Sequence, residues 1–379
     1  LSGSSSGSGV DVRWYRDAGA TQYSVTPTAG GNHYDVTYYQ QYYRTIVTSG
    51  LVSSYQAKIT LTQFGTEIDP YTYGTWQDWP DVGSTLSIQN PVSVSTGERY
   101  YSSDTVSWTV SSAASVSVTY VHQWYLTVNS DPVNVTPAPT GEGWKNHSTD
   151  VTATATSTVS KDTDSFLFWK WTDDATGDLT TSDSIYMDSA KTATAKYKKL
   201  FQLTAQGTYT NNATAESSTV VEITVSVADP NYYLTIVDTD DPGYTTPSGW
   251  SAVDKYVRIE TNIPTTDVAW PVEIRVYYTD DEIEAQGLDE STLEMYYDTG
   301  AGWVPVYEYN SQDTTGVNTV DNYVWAKVYH LSQFVPMGQA PAAAPTAAPS
   351  GAAEVGGDDS PRIFPPVLFF GIGWVIIDG

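Results

Sequence analysis

Apolar and polar residues alternate with a period of two along most of the chain from Val10 to Val227. Val106-Ser107-Trp108-Thr109-Val110, Val116-Ser117-Val118-Thr119-Tyr120 and Val221-Glu222-Ile223-Thr224-Val225-Ser226-Val227 each put apolar side chains on one face and polar ones on the other. Successive strand side chains point to opposite faces, so this pattern predicts half-buried antiparallel strands. Gly, Pro, Asn and Asp clusters separate the runs, and helical periodicity is nearly absent.

The pattern repeats. Val36-Thr37-Tyr38-Tyr39-Gln40-Gln41-Tyr42-Tyr43 matches Val118-Thr119-Tyr120-Val121-His122-Gln123-Trp124-Tyr125 at an offset of 118 − 36 = 82. A weaker copy, Thr194-Ala195-Lys196-Tyr197 running into Gln202-Leu203-Thr204, lies about 77 residues further on, since 197 − 120 = 77. Tyr125-Leu126-Thr127-Val128 and Tyr233-Leu234-Thr235-Ile236 echo each other, and each reads as the junction between one module's last strand and the next module's first. Units of this size strung end to end make a rod of small sandwiches.

From about Leu200 the texture changes. Val272 to Tyr278 is a strong strand, and Thr279-Asp280-Asp281-Glu282 has capping-box spacing that opens a short helix ended by Gly287. Strands Leu293 to Tyr297, Trp303 to Tyr307 and Tyr323 to Val328 follow. The predicted fold class is all-β: tandem small antiparallel β-sandwich or β-grasp-like modules, then a larger β-sandwich and an extended C-terminal tail. The domains read as 1–39, a Ser/Gly leader with strands preceding the first full repeat; 40–121, a divergent β-repeat; 122–199, a second β-repeat; 200–338, a β-sandwich; and 339–379, an Ala/Pro spacer with an apolar tail. Gly3-Ser4-Ser5-Ser6-Gly7 matches a serine-hydrolase elbow, but a Ser/Gly leader supplies neither the strand nor the helix that motif needs.

Composition narrows the function classes. The chain of 379 residues has a net charge of −27, which argues against nucleic acid or an anionic membrane surface as partner. Only 16% of residues are charged, so the polar surface is built from Ser, Thr, Asn, Gln and Tyr, a pattern expected of an extracellular or cell-surface protein. The 29 Tyr and 13 Trp supply enough apolar area for real cores. Cysteine is absent, so stability rests on cores, assembly or another covalent link.

The tail carries the sharpest expectation. Ile363 to Ile377 is an uncharged apolar run of 15 residues, short for a membrane helix and interrupted by Pro365-Pro366, Gly371 and Gly373. Ile363, Phe364, Val367, Leu368, Phe369, Phe370, Trp374, Val375, Ile376 and Ile377 read instead as strands that pair with a neighbouring subunit's open sheet edge.

Other candidate chemistry is thinner. Asn134, Asn146 and Asn212 head N-glycosylation sequons, which would be used in a secreted glycoprotein. Two acidic clusters could bind calcium, Asp238, Asp240 and Asp241 in one turn and Asp173 and Asp174 with Asp178 in another, though solvated turn acids explain both. No other cofactor is expected. His33, His122, His147 and His330 show no zinc-pair spacing. No pair of carboxylates points to a glycosidase cleft, and the chain is not expected to be an enzyme. Tyr38 to Tyr43 places tyrosine on both strand faces, one for the core and one to stack on sugars or another subunit, unless neighbouring modules cover both.

Residues 122–199 resemble the internalin-type (Listeria–Bacteroides) β-repeat module of secreted surface proteins. The resemblance rests on Tyr125-Leu126-Thr127-Val128, Gly141-Glu142-Gly143-Trp144, Phe168-Trp169-Lys170-Trp171-Thr172-Asp173-Asp174 and the closing Met187-Asp188-Ser189-Ala190-Lys191-Thr192-Ala193-Thr194-Ala195-Lys196-Tyr197. Residues 40–121 are similar to a divergent copy, keeping Gly97-Glu98-Arg99-Tyr100 but not Met-Asp-Ser. Trp270 to Met337 resembles the membrane-proximal domain of archaeal cell-surface proteins through Leu288-Asp289-Glu290-Ser291-Thr292-Leu293, Trp303-Val304-Pro305-Val306, Asn322-Tyr323-Val324-Trp325-Ala326 and His330-Leu331-Ser332-Gln333-Phe334. These resemblances imply an architecture and a location rather than a reaction. The expected function is a structural subunit of an extracellular filament, sheath or surface layer, a homopolymer of identical subunits joined by tail or strand addition. The alternative is a membrane-anchored adhesin or carbohydrate-binding stalk whose partners are glycans or other cell-surface proteins.

Overall fold

The computed structural model describes residues 12–16 and 38–342; the Ser/Gly leader, residues 17–37 (with His33) and the tail strands predicted between Ile363 and Ile377 lie outside the described residues. The molecule divides into two compact units, Leu1–Ala340 and Pro341–Gly379, and the first holds almost all the described structure. That unit is all-β and sandwich-like.

Three principal cores follow one another in sequence. Ile46, Ile59, Leu61, Leu86 and Val118 centre the first, between the Ala114–Thr119, Arg44–Ser49 and Thr75–Asp78 strands and a second sheet that includes Ala57–Gln63 and Thr85–Ile88. Leu126, Phe166, Trp171, Met187, Ala195 and Tyr197 centre the second. The third lies between the sheet Gly207–Ala213, Thr219–Val225, Val268–Tyr277, Tyr323–Val328, Thr314–Asn318 and the strands Tyr233–Thr239, Tyr256–Thr261, Gln333–Gln339, with Ile223, Ile236, Ile259, Ile274 and Phe334 fully buried. Burial alternates along Arg44–Ser49, Ala57–Gln63 and Val268–Tyr277, as the sequence pattern predicts.

Most strand pairs are antiparallel, but each repeat also closes on itself through a parallel pair. Arg44–Ser49 runs beside Ala114–Thr119, beginning with Arg44 opposite Ala114. Val121–Asp131 runs beside Lys191–Gln202, beginning with Leu126 opposite Lys191. The two registers correspond through the offsets seen in the sequence, because 126 − 44 = 82 and 191 − 114 = 77. Alternation looks the same in either strand direction, so periodicity alone does not distinguish these pairs.

The long strands hydrogen-bond to strands of two cores each. Val121–Asp131 pairs through its first half with Glu98–Tyr101 and through its second half with Lys191–Gln202. Lys191–Gln202 pairs next with Tyr233–Thr239 through its last four residues. One 13-stranded sheet therefore runs from Val92–Ser95 through to Trp303–Pro305 without a linker between cores.

Local expectations fare differently. Thr279 and Glu282 form a capping box on the Asp280–Gln286 helix, and Gly287 ends it in the left-handed conformation. The strand expected from Trp303 to Tyr307 stops at Pro305, and Val306–Tyr309 makes a helical turn that buries Val306. Proline brings no N–H to a ladder, so pairing ends there. Tyr233-Leu234-Thr235-Ile236 is not a module junction; it lies within the third core, where Leu234 and Ile236 are fully buried.

Candidate functional site

The chemistry-bearing side chains gather at the two joints between cores. At the first joint, Glu98–Tyr101 lies beside Val121–Asp131, which lies beside Gly143–Asn146. Arg99, Gln123 and Asn146 fall in one row across these strands. Arg99 Nε donates to Gln123 Oε1 at 2.9 Å, and Gln123 Nε2 donates to Asn146 Oδ1 at 3.0 Å. The Arg99 guanidinium lies 4.2 Å from the Trp144 ring centre and 4.7 Å from that of Tyr101.

The same device occurs once before. Arg13 Nε donates to Gln41 Oε1 at 2.7 Å, Gln41 Nε2 donates to Asp81 Oδ1 at 2.8 Å, and the Arg13 guanidinium sits 4.6 Å from the Trp79 ring centre. The glutamines are related by 123 − 41 = 82, the tryptophans by 144 − 79 = 65, the relay ends by 146 − 81 = 65 and the arginines by 99 − 13 = 86. Each relay ties three chain segments with two hydrogen bonds and covers the cation with an indole face. Gln41 is fully buried, and it is this residue, rather than the tyrosines around it, that fills the inward position of Tyr38–Tyr42. Tyr39 and Tyr43 instead pack against Phe64 and Trp79.

On the other face of the first joint, His122 Nε2 lies 2.9 Å from Glu98 Oε1, and its ring stacks on Tyr100 at 4.7 Å. Trp124 Nε1 donates to His147 Nδ1 at 3.1 Å. Both histidines hold the joint together through these contacts. His330 lies half-buried elsewhere, against Tyr297, Tyr309 and Phe334 and 3.4 Å from Asp313. Burial pushes its pKa down to about 4, which keeps the ring neutral.

The second joint is charged. A cleft of about 380 Å³ is lined by Lys161, Lys170, Lys196 and Lys199 together with Asp131, Glu216, Asp238 and Asp240. Lys199 reaches Asp164 at 2.8 Å and Glu216 at 3.2 Å, Lys170 reaches Asp240 at 3.6 Å, and Lys198 pairs with Glu260. Four lysines against four acids leave the cleft lining without excess charge, and it reads as an ionic seam between the second and third cores. Lys170 and Lys198 also lie over Trp169.

The predicted site residues scatter. Asp240 is spent on Lys170, and Asp241 Oδ1 accepts the Gly243 N–H at 2.9 Å. Among the described residues, no three acidic or histidine side chains converge on a metal-sized point, Asp238, Asp240 and Asp241 included. Asp174 accepts the Thr192 N–H at 2.8 Å, a turn-holding role. The sequon asparagines Asn134, Asn146 and Asn212 are all exposed. Asn146 accepts from Gln123 through Oδ1, and Asn212 Oδ1 accepts from Thr214, so in each case the amide nitrogen is left for a sugar. Among the described residues no helix is long and apolar enough to cross a membrane.

No protein-family model, no curated protein and no solved structure matches the chain.

Proposed function

We propose that the chain is a structural subunit of an extracellular filament, sheath or surface layer, joined to identical subunits through its C-terminal tail. The observation that carries this reading is the unbroken sheet. A force entering at the tail would reach Gln333–Gln339, which is paired with strands on both sides and buried at six successive residues. It would pass through Tyr256–Thr261, Tyr233–Thr239, Lys191–Gln202 and Val121–Asp131 by backbone hydrogen bonds alone. Flexible linkers would let the cores swing, whereas shared strands make each joint as stiff as a sheet. The charge-poor, hydroxyl-rich composition and the resemblance to surface-protein modules support an extracellular location, and N-glycans on Asn134 and Asn212 belong to the same reading.

Deleting residues 340–379 tests the proposal by light scattering. The full chain should form large particles and the shortened chain should remain monomeric. Assembly unchanged by the deletion would refute tail-mediated joining.

A further inference from the structure

The two Arg-Gln-Asx relays differ at one end. The first finishes on the buried carboxylate of Asp81, which also accepts the Gly65 N–H at 2.7 Å. The second finishes on the neutral amide of Asn146. Arg99 therefore has no carboxylate partner among the described residues, in a chain of net charge −27. Arg258 and Arg275, by contrast, are each paired with a glutamate. Packing also strips water from Arg99 and lowers its pKa, so the uncompensated cation is partly desolvated.

The geometry leaves one part of Arg99 open. Its faces are covered by Trp144 and Tyr101, and Nε donates to Gln123, while the two terminal nitrogens have no partner among the described residues and are not buried. A planar fork held between two rings presents two parallel N–H groups, the arrangement that grips a carboxylate bidentately. Around it, Tyr101 is 37% exposed, Trp144 packs edge-on against Tyr125, and the exposed Asn146 lies across the same row. Aromatic rings beside amides on a sheet face suit the apolar faces and hydroxyl rims of sugar rings.

We propose that Arg99, Tyr101, Trp144 and Asn146 form a binding site for a carboxylated sugar, a uronate-type residue carried on an otherwise neutral glycan. A densely charged polyanion does not suit the site, because a chain of net charge −27 repels it at long range. The site adds glycan recognition to a structural subunit and does not depend on how the tail assembles.

The test uses the full chain flowed over two immobilised neutral oligoglucans, one ending in glucuronate and one in glucose. The glucuronate-ended glycan should bind and the glucose-ended one should bind at least about tenfold more weakly, the usual worth of one charged hydrogen-bonded contact. Arg99→Gln should abolish the difference, and Arg99→Lys, which keeps the charge without the fork, should retain only a small part of it. Arg258→Gln should leave it unchanged. The comparison of two glycans on the unaltered protein stands even if a variant folds poorly. Equal binding of both glycans, binding of neither, or full selectivity in Arg99→Gln overturns the assignment. Self-association lost in Arg99→Gln without any glycan selectivity would assign the fork to a carboxylate of a second copy and equally overturn it.

Discussion

Tyr120 is 2% exposed, and its hydroxyl donates to the Gln89 carbonyl at 2.5 Å. Burial pushes its pKa up to about 12. The folded state thus holds the proton more tightly than the unfolded one, whose tyrosine titrates near 10. The sign follows: the contribution is complete below about pH 10 and is lost as pH rises toward 12, a loss of roughly 2–3 kcal/mol. Tyr120→Phe gives up one hydrogen bond, about 1 kcal/mol at neutral pH. Urea midpoints measured across the alkaline window should therefore fall less steeply for Tyr120→Phe than for the unaltered chain. Equal slopes would show that other buried tyrosines such as Tyr278 and Tyr296 carry the effect. At this scale the sequence was readable only in part. Gln41 and Gln123 stood in the visible repeat, but a polar residue in an alternating strand reads as solvent-facing until a third strand is placed beside it. Arg13 and Arg99, and Trp79 and Trp144, recur at other offsets than the glutamines, so no single shift of the sequence aligns the relay.

Each repeat depends on its first and last strands lying parallel. Gly50 sits at the end of the first such pair with φ +82°, and a Cβ there would come within 1.9 Å of the Tyr120 carbonyl oxygen. Gly50→Ala adds left-handed strain to a backbone clash that no side-chain rotation relieves. It should cost roughly 3 kcal/mol, seen as a lower denaturation midpoint with local loss of amide protection along Arg44–Ser49. An unchanged midpoint would mean that the turn relaxes freely. The capping box at Thr279 was legible because its two hydrogen bonds are made within one turn of chain. The stop at Pro305 was legible in principle, since proline brings no N–H to a ladder, but the apolar run through Tyr307 concealed it.

At the scale of the whole molecule, shared strands couple the cores. Unfolding the second core would expose half of Val121–Asp131 and half of Lys191–Gln202, and so strip pairing from the first and third cores. Calorimetry on the full chain should show one dominant cooperative transition. Three separate transitions, one for each core, would show that the sheet does not transmit stability and would weaken the case for a force-transmitting subunit.

The amino-acid sequence alone determined that the chain is all-β and repetitive, because a period of two and its recurrence are properties of neighbouring residues. It determined the short capped helix for the same reason. The direction of the closing strand pairs, the sharing of strands between cores, the Arg-Gln-Asx relays and the setting of the Arg99 fork were decided only by tertiary structure. Each of those depends on which distant segment lies alongside, and hydrogen bonds between residues 23 or more positions apart leave no mark on local pattern.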